Sequence, residues 1–366
     1  MEFPAEWCGP AEETLPMRPV LVNGLGCYEA GSRLVLRELL KSAPAGVLLW
    51  VIVPDKNRED MAGSPAAIRG IPLNHRVFGR WLRPLFELGL YLLGAAGFFS
   101  RIVNVSNYGW CAPVRTPTVL YYHNALLVED GHDQFSGRGG RPNWFKRWCL
   151  DSCLKRAEKI IVQTDHMAAR MAAYAGRRGL PSRVIDVVRP LPDYASSERR
   201  AEKCFEFQFF YPASSFPHKR VNLAVQAAVI ANSEDSRIGL VVTGESSSNA
   251  SCVRTLGTIS HESVMAHFAS SDALLFTSSQ ETLALPLLEA MHHGLPAVLP
   301  ALPYAQDIYA DSAIYFTNDD VSAVASAMLA CAREYEKRRE MILMRREQEW
   351  GRRTSWRNHW SKLGIA

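Results

Sequence analysis

Twice along this 366-residue chain, short runs of Val, Leu, Ile or Phe break into loops of small residues and are followed by segments with apolar residues at helical spacing. Continuous apolar runs of this kind suit strands buried on both faces, as in a parallel sheet with helices packed on either side. In the first half the runs are Pro19 to Asn23, Val47 to Val53, Thr118 to Tyr122 and Lys159 to Gln163. Helical spacing covers Ser32 to Leu40, Trp144 to Arg156 and His166 to Ala175. The pattern restarts with strands at Phe207 to Tyr211, Ile238 to Thr243, Ala273 to Phe276 and Ala297 to Leu299, interleaved with helices at Val221 to Ala231 and Glu262 to Ala269. Helices at Val321 to Tyr335 and Arg338 to Lys362 follow. Right-handed crossovers would place the C-terminal ends of all strands of a sheet, and their loops, along one edge.

A hydrophobic content of 48% supplies ample core, and at roughly 100–200 residues per domain the length predicts two domains. The expected boundaries are an N-terminal domain over 1–188, a linker over 189–203, a C-terminal domain over 204–340 and a terminal helix over 341–366. Charge changes near the linker: residues 1–200 hold 26 Lys and Arg against 19 Asp and Glu, and the remainder holds 15 against 18. Residues 54–75 read as a Pro- and Gly-punctuated loop, and His75 to Arg101 as a helix pair with arginines bracketing an apolar body. That body is either core or an interfacial helix on anionic lipid. The run Leu85 to Phe99 is interrupted by Glu87 and shorter than the roughly 20 residues of a spanning helix. Eight cysteines without a Cys-x-x-Cys pair read as reduced thiols, and with no basic, apolar leader in the first thirty residues a cytoplasmic location is expected.

The glycine loop after the first strand, Gly24-Leu25-Gly26-Cys27-Tyr28-Glu29-Ala30-Gly31, fails the dinucleotide fingerprint in the spacing of its third glycine, so NAD is not expected. The most informative stretch is Phe276 to Gly294. Pro286 suits a first helical turn and Gly294 a helix end, so a short helix starts just beyond a strand and aims free N–H groups at one spot. Glu281 and Glu289 flank that anion site with seven residues between them. Carboxylates accept and do not donate, so they fit hydroxyl groups around the anion, and sugar hydroxyls are the obvious candidates. Glu289 falls on an otherwise apolar helix, where an unpaired carboxylate is costly. His292 and His293 read as cations at the C-terminal end of that helix.

With Glu281 to Glu289, Leu285-Pro286, Glu289-Ala290-Met291 and Gly294-Leu295-Pro296 in view, the chain resembles the GT-B retaining glycosyltransferases of glycosyltransferase family 4, of the Glu-x7-Glu type. The resemblance implies an α/β fold of two Rossmann-like domains facing across a cleft, with the last helix crossing back to the N-terminal domain. It implies a hexose, mannose or a deoxyhexose, moved from a GDP- or UDP-linked donor to a lipid-linked or polysaccharide acceptor, as in bacterial surface glycan synthesis. Glu289 would bind the ribose, and Glu281 would lie near the donor sugar and reaction centre. The N–H groups of Leu283, Ala284 and Leu285 would face sugar and diphosphate, and Lys219 would neutralise the diphosphate. Gly24 and Gly26 would approach the diphosphate, His123 would lie close to the transferred sugar, and Ile259 and Ser260 would hold the base.

Two departures stand out: the Gly-Arg expected before the lysine is absent, which leaves Ser215 or Arg220 to help, and Ala284 stands where glycine is common. No Asp-x-Asp occurs, so neither a metal nor another cofactor is expected. Partners would be the donor, a glycan or glycolipid acceptor and an anionic membrane at its inner face, and no nucleic acid. A sugar-nucleotide epimerase or phosphorylase, and a non-catalytic sugar-nucleotide-binding subunit, remain the alternatives.

Overall fold

A computed structural model describes residues 18–27, 30–74, 82–107, 116–124, 127–128, 144–181, 184–190, 200–245, 248–317 and 320–365. Arg76 and Arg80, the acidic loop Glu129 to Asp133 and most of the expected linker lie outside these residues. The chain forms two compact units, Met1–Pro192 with Arg353–Ala366, and Asp193–Arg352.

In the first unit the elements are β1 (Val20–Asn23), α1 (Ala30–Lys41), β2 (Leu48–Pro54), β3 (Ala67–Leu73), α2 (Arg83–Ala95), β4 (Arg101–Asn104), β5 (Thr118–Tyr121), α3 (Trp144–Arg156), β6 (Lys159–Val162), α4 (Asp165–Arg177) and β7 (Val184–Val187). All seven strands are parallel, in the order β3-β2-β1-β4-β5-β6-β7. Two elements correct the sequence reading. Residues 67–73, expected in a loop, form the edge strand β3, where Pro72 needs no donor on its outer side and Gly70 passes under Met61. Arg101, expected at a helix end, begins β4, whose register against β1 pairs Val20 with Arg101 and Asn23 with Asn104. Val22, Leu36, Val51, Val103 and Trp360 share one buried cluster, and Leu120, Leu150 and Met167 another.

The second unit runs β8 (Phe207–Tyr211), α5 (Val221–Glu234), β9 (Ile238–Val242), β10 (Val253–Thr255), α6 (His261–Ser270), β11 (Ala273–Leu275), α7 (Leu285–His292), β12 (Ala297–Pro300), α8 (Pro303–Tyr309), β13 (Ile314–Phe316), α9 (Val321–Arg333) and α10 (Tyr335–Gly351). Its parallel sheet has the order β10-β9-β8-β11-β12-β13. Strands β9 and β11 are buried along their whole length, which is why they read as unbroken apolar runs.

The expected single terminal helix is two. α10 ends at Gly351, Thr354 pairs with Pro190, and α11 (Trp356–Lys362) then packs in the first unit. There the indole of the fully buried Trp360 donates to the Leu39 carbonyl, 2.9 Å away.

Candidate functional site

In each sheet the strand order reverses direction at one place, between β1 and β4 and between β8 and β11. Loops leaving the C-terminal ends of two such strands diverge to opposite faces, and the crevice between them is where open α/β sheets hold ligands. In the second unit those loops are 212–220 and 276–284, which carry Lys219 and Glu281.

The two loops are stitched together through backbone. The Thr277 hydroxyl donates to the carbonyls of Lys219, at 2.9 Å, and Arg220, at 3.1 Å. Ser279 N–H donates to the His218 carbonyl at 2.8 Å, and the Tyr211 hydroxyl also donates to Lys219 O. Arg220 sits at φ 51°, ψ 47°, turning the chain into α5 directly after the tight turn Pro217–Lys219. The result is a fixed ammonium: Lys219 Nζ pairs with Glu281 Oε1 and lies 5.2 Å from the Phe276 ring centroid. Both side chains of the pair keep about 13–14% of their surface exposed, enough for a ligand to reach them. Ser215, offered by the sequence as a helper for Lys219, is exposed on the same loop.

α7 starts at Leu285 with Pro286 in its first turn, as expected, and ends at His292, with Gly294 at φ 68° donating to Met291 O. Ala284 caps its start in the left-handed region, at φ 49°, ψ 63°. Leu283 and Ala284 are buried and Leu285 is partly so, placing the N-terminal end of α7 beside Glu281. The first N–H groups of a helix have no partner within it, so this end supports negative charge.

Glu289, on the same helix, is 4% exposed. Its carboxylate Oε1 lies 2.8 Å from Nε2 of His261, the first residue of α6. The sequence reading passed over His261, because nothing in spacing links it to Glu289. Ile259 is partly buried just before α6, and Ser260 caps that helix, its Oγ accepting from Ser263 N at 3.1 Å. His292 and His293 are not the expected cations. Burial lowers both below the ordinary histidine range, His293 to about 4, and their rings stack on Trp350 and Phe268.

At the first unit's switch point, Gly24 and Gly26 follow β1. A side chain at Gly26 would meet Ser106 Cβ at 3.0 Å, and one at Gly24 would meet Leu36 Cδ2 at 2.5 Å. The Gly26 N–H donates to Ser106 Oγ at 2.9 Å, and Gly24 N–H to Ile52 O at 2.9 Å. Close packing therefore accounts for both glycines. His123 follows β5, and Asn107, at φ 64° after β4, holds it twice. His123 N–H donates to Asn107 Oδ1 at 2.6 Å, which orients the amide so that Nδ2 donates to His123 Nε2 at 3.0 Å. The neutral ring then carries its proton on Nδ1. The residue keeps a partly exposed edge, but its ring nitrogen Nδ1 is buried, and this desolvation lowers its pKa to about 4. Asn107 is a second residue the sequence reading missed.

Among the described residues no three His, Cys, Asp or Glu side chains gather as a metal site. A cavity of about 610 Å³ opens at the opposite, N-terminal edge of the second sheet, lined by Arg200, Lys203, Asp272, His293 and Arg339, and includes none of Lys219, Glu281, Glu289 and His261.

Two parallel sheets with helices, each turning at such a switch point, define the GT-B fold. The family model for glycosyl transferases group 1 matches residues 197–348. Among solved structures, sucrose-phosphate synthase from Thermosynechococcus elongatus superposes with a TM-score of 0.70 at 15% identity, over 94% of this chain and 96% of that one. HepE of Anabaena, solved with UDP and glucose, gives 0.67 at 14% identity over 94% and 98%. The UDP-forming α,α-trehalose-phosphate synthase of Burkholderia vietnamiensis gives 0.63 at 14% identity over 94% and 99%. No curated protein matches the chain. Identities this low carry the fold.

Proposed function

We propose that the protein is a nucleotide-sugar-dependent glycosyltransferase of the family 4 type, transferring a hexose from a UDP- or GDP-linked donor with retention of configuration. The observation that carries this reading is the union of Lys219, Glu281 and the start of α7 at one switch point, with Glu289 one helix turn further in. Support comes from the match of residues 197–348 to glycosyl transferases group 1. The neighbour HepE was solved with UDP and glucose.

In this reading the ion pair is the resting state. An arriving diphosphate takes over the Lys219 ammonium, and the released Glu281 carboxylate accepts from donor-sugar hydroxyls. As the bond from the anomeric carbon to the phosphate oxygen breaks, negative charge grows on the diphosphate, where Lys219 and the α7 amides stabilise it. An acceptor hydroxyl forms the new bond on the same face, and its proton passes to the departing phosphate oxygen. The products are a glycoside and a nucleoside diphosphate, with no protein-bound metal or other cofactor in the scheme. Glu289 accepts from the ribose, the segment at Ile259 and Ser260 borders the base, and His123 stays neutral near the transferred sugar.

The acceptor we propose is lipid-linked or a polysaccharide, at the inner face of an anionic membrane. Supporting this, α2 exposes Leu85, Leu88, Leu92 and Leu93, and Phe98 follows just beyond it. No helix among the described residues is long and apolar enough to cross a membrane.

The test is transfer from labelled UDP- and GDP-hexoses to lipid-linked and polysaccharide acceptors, with the anomeric configuration of the product read by NMR. Acceptor-dependent release of nucleoside diphosphate with retained configuration is expected. Turnover without an acceptor would instead establish an epimerase, transfer to inorganic phosphate a phosphorylase, and donor binding without turnover a non-catalytic subunit.

A further inference from the structure

Glu289 is a nearly buried carboxylate whose only hydrogen-bond partner among the described residues is His261. Each end of that bond is fixed. Glu289 lies within α7, and His261 is held at the first position of α6 by the Ser260 cap. His261 itself is 44% exposed in its side chain, so it stands at the rim of the site while its Nε2 reaches inward. Because a carboxylate can only accept, Nε2 must be the donor.

One pinned oxygen fixes the plane of the whole carboxylate. A carboxylate with two oxygens has about four acceptor positions, so after serving His261 it still has capacity for both hydroxyls of a vicinal diol. Accepting from two neighbouring hydroxyls at once requires that plane to be set in advance; accepting from one does not. A free carboxylate would rotate to suit a lone hydroxyl and gain little from a second.

Resting on the functional reading above, we propose that His261 is the positioning residue for Glu289, and that the pair makes the site selective for a ribonucleotide over its 2′-deoxy counterpart. Neither neighbouring titratable group can replace it: Glu262 adjoins His261 but has no proton to donate as a carboxylate, and His267 lies further along α6. Arg346, on α10, instead donates to the carbonyl of His292.

The test measures binding of UDP, GDP and their 2′-deoxy forms to the full-length protein by calorimetry, in the wild type and in His261→Ala, His261→Asn and His261→Gln. The glutamine amide can place an N–H near the position of Nε2, whereas asparagine is too short. For the wild type, a preference of about 10- to 100-fold for the bound ribonucleotide is expected, the range of a hydrogen bond to a charged group. In His261→Ala and His261→Asn the ribonucleotide should weaken by about tenfold and the preference shrink to within about threefold. His261→Gln should restore most of both, and donor KM should rise in the alanine variant with kcat nearly unchanged. Should the alanine variant fail to fold, the asparagine and glutamine variants decide the matter by themselves. A wild-type preference kept intact in His261→Ala or His261→Asn overturns the proposal and leaves the nucleotide site standing. A wild type that binds none of the nucleotides overturns the functional reading first, and this inference with it.

Discussion

Ala284 holds a left-handed backbone, φ 49° and ψ 63°, at the start of the helix that faces the Lys219–Glu281 pair. That conformation costs a residue with a Cβ about 1–2 kcal/mol, partly offset by alanine's smaller loss of chain entropy. Ala284→Gly is therefore expected to stabilise the protein by about 0.5–1 kcal/mol, read as a raised midpoint in denaturant; an unchanged or lowered midpoint would contradict the strain. Alanine is tolerated because Leu283 and Ala284 are both buried and the turn is fixed by packing. Individual residues of the candidate site stood out in the sequence where a local rule exposed them. Glu289 stood out as a carboxylate on an apolar helix, whereas Lys219 was picked out only through the family resemblance. His261 and Asn107 were not legible, since each meets its partner through tertiary packing, across 28 and 16 residues. The histidines at the end of α7 misled for a related reason: their position suggests cations, and their burial makes them neutral.

Among the elements, the buried parallel strands were read with small shifts at their ends, because two-sided burial leaves an unbroken apolar run. β3 was missed because Gly70 and Pro72 look like loop residues, yet on an edge strand the ring of Pro72 interrupts no ladder. β4 was missed because it is short and follows closely on α2. α2 carries features of both readings of the apolar body: Leu90 is buried with Phe86 packed against its cluster, whereas Leu85 is 67% exposed and Leu92 58%, so one face packs inward and another lies open. A face of this kind predicts that the protein sediments with vesicles containing anionic lipid, and that Leu85→Ser with Leu92→Ser releases it without loss of helical signal. Equal sedimentation of the double variant would show that α2 does not hold the protein on the vesicle.

For the whole molecule, the twofold restart of the strand–helix pattern was enough to foresee two Rossmann-like sheets. The return of residues 353–366 to the first unit was legible only through the family resemblance, and the break that permits it at 352–355 was not foreseen. That unit also holds two histidines as neutral rings, His359 fully buried and His123 with its ring nitrogen Nδ1 buried. His123 and His359 each fall from the ordinary 6.5 to about 4 through desolvation, and His359 Nε2 meets no acceptor or donor among the described residues. Between those values the unfolded chain binds more protons than the folded one, so stability falls as pH drops from 6.5 toward 4. The expected slope is about 1.4 kcal/mol per pH unit for each histidine, measured by denaturant titration at several pH values. His359→Phe should remove its share of the slope and leave that of His123, and a stability independent of pH across that window would show that the rings are not held neutral.

In the proposed reaction the switch point of the second sheet holds a nucleoside diphosphate between Lys219 and α7. The most direct test is the affinity of UDP and GDP for the wild type and for Lys219→Met, by calorimetry. At least one of the two should bind the wild type, and Lys219→Met should weaken it by about 10- to 100-fold, the loss of a charge-assisted contact, while the fold is retained. Binding of neither nucleotide, or equal binding by wild type and variant, would contradict this placement of the diphosphate.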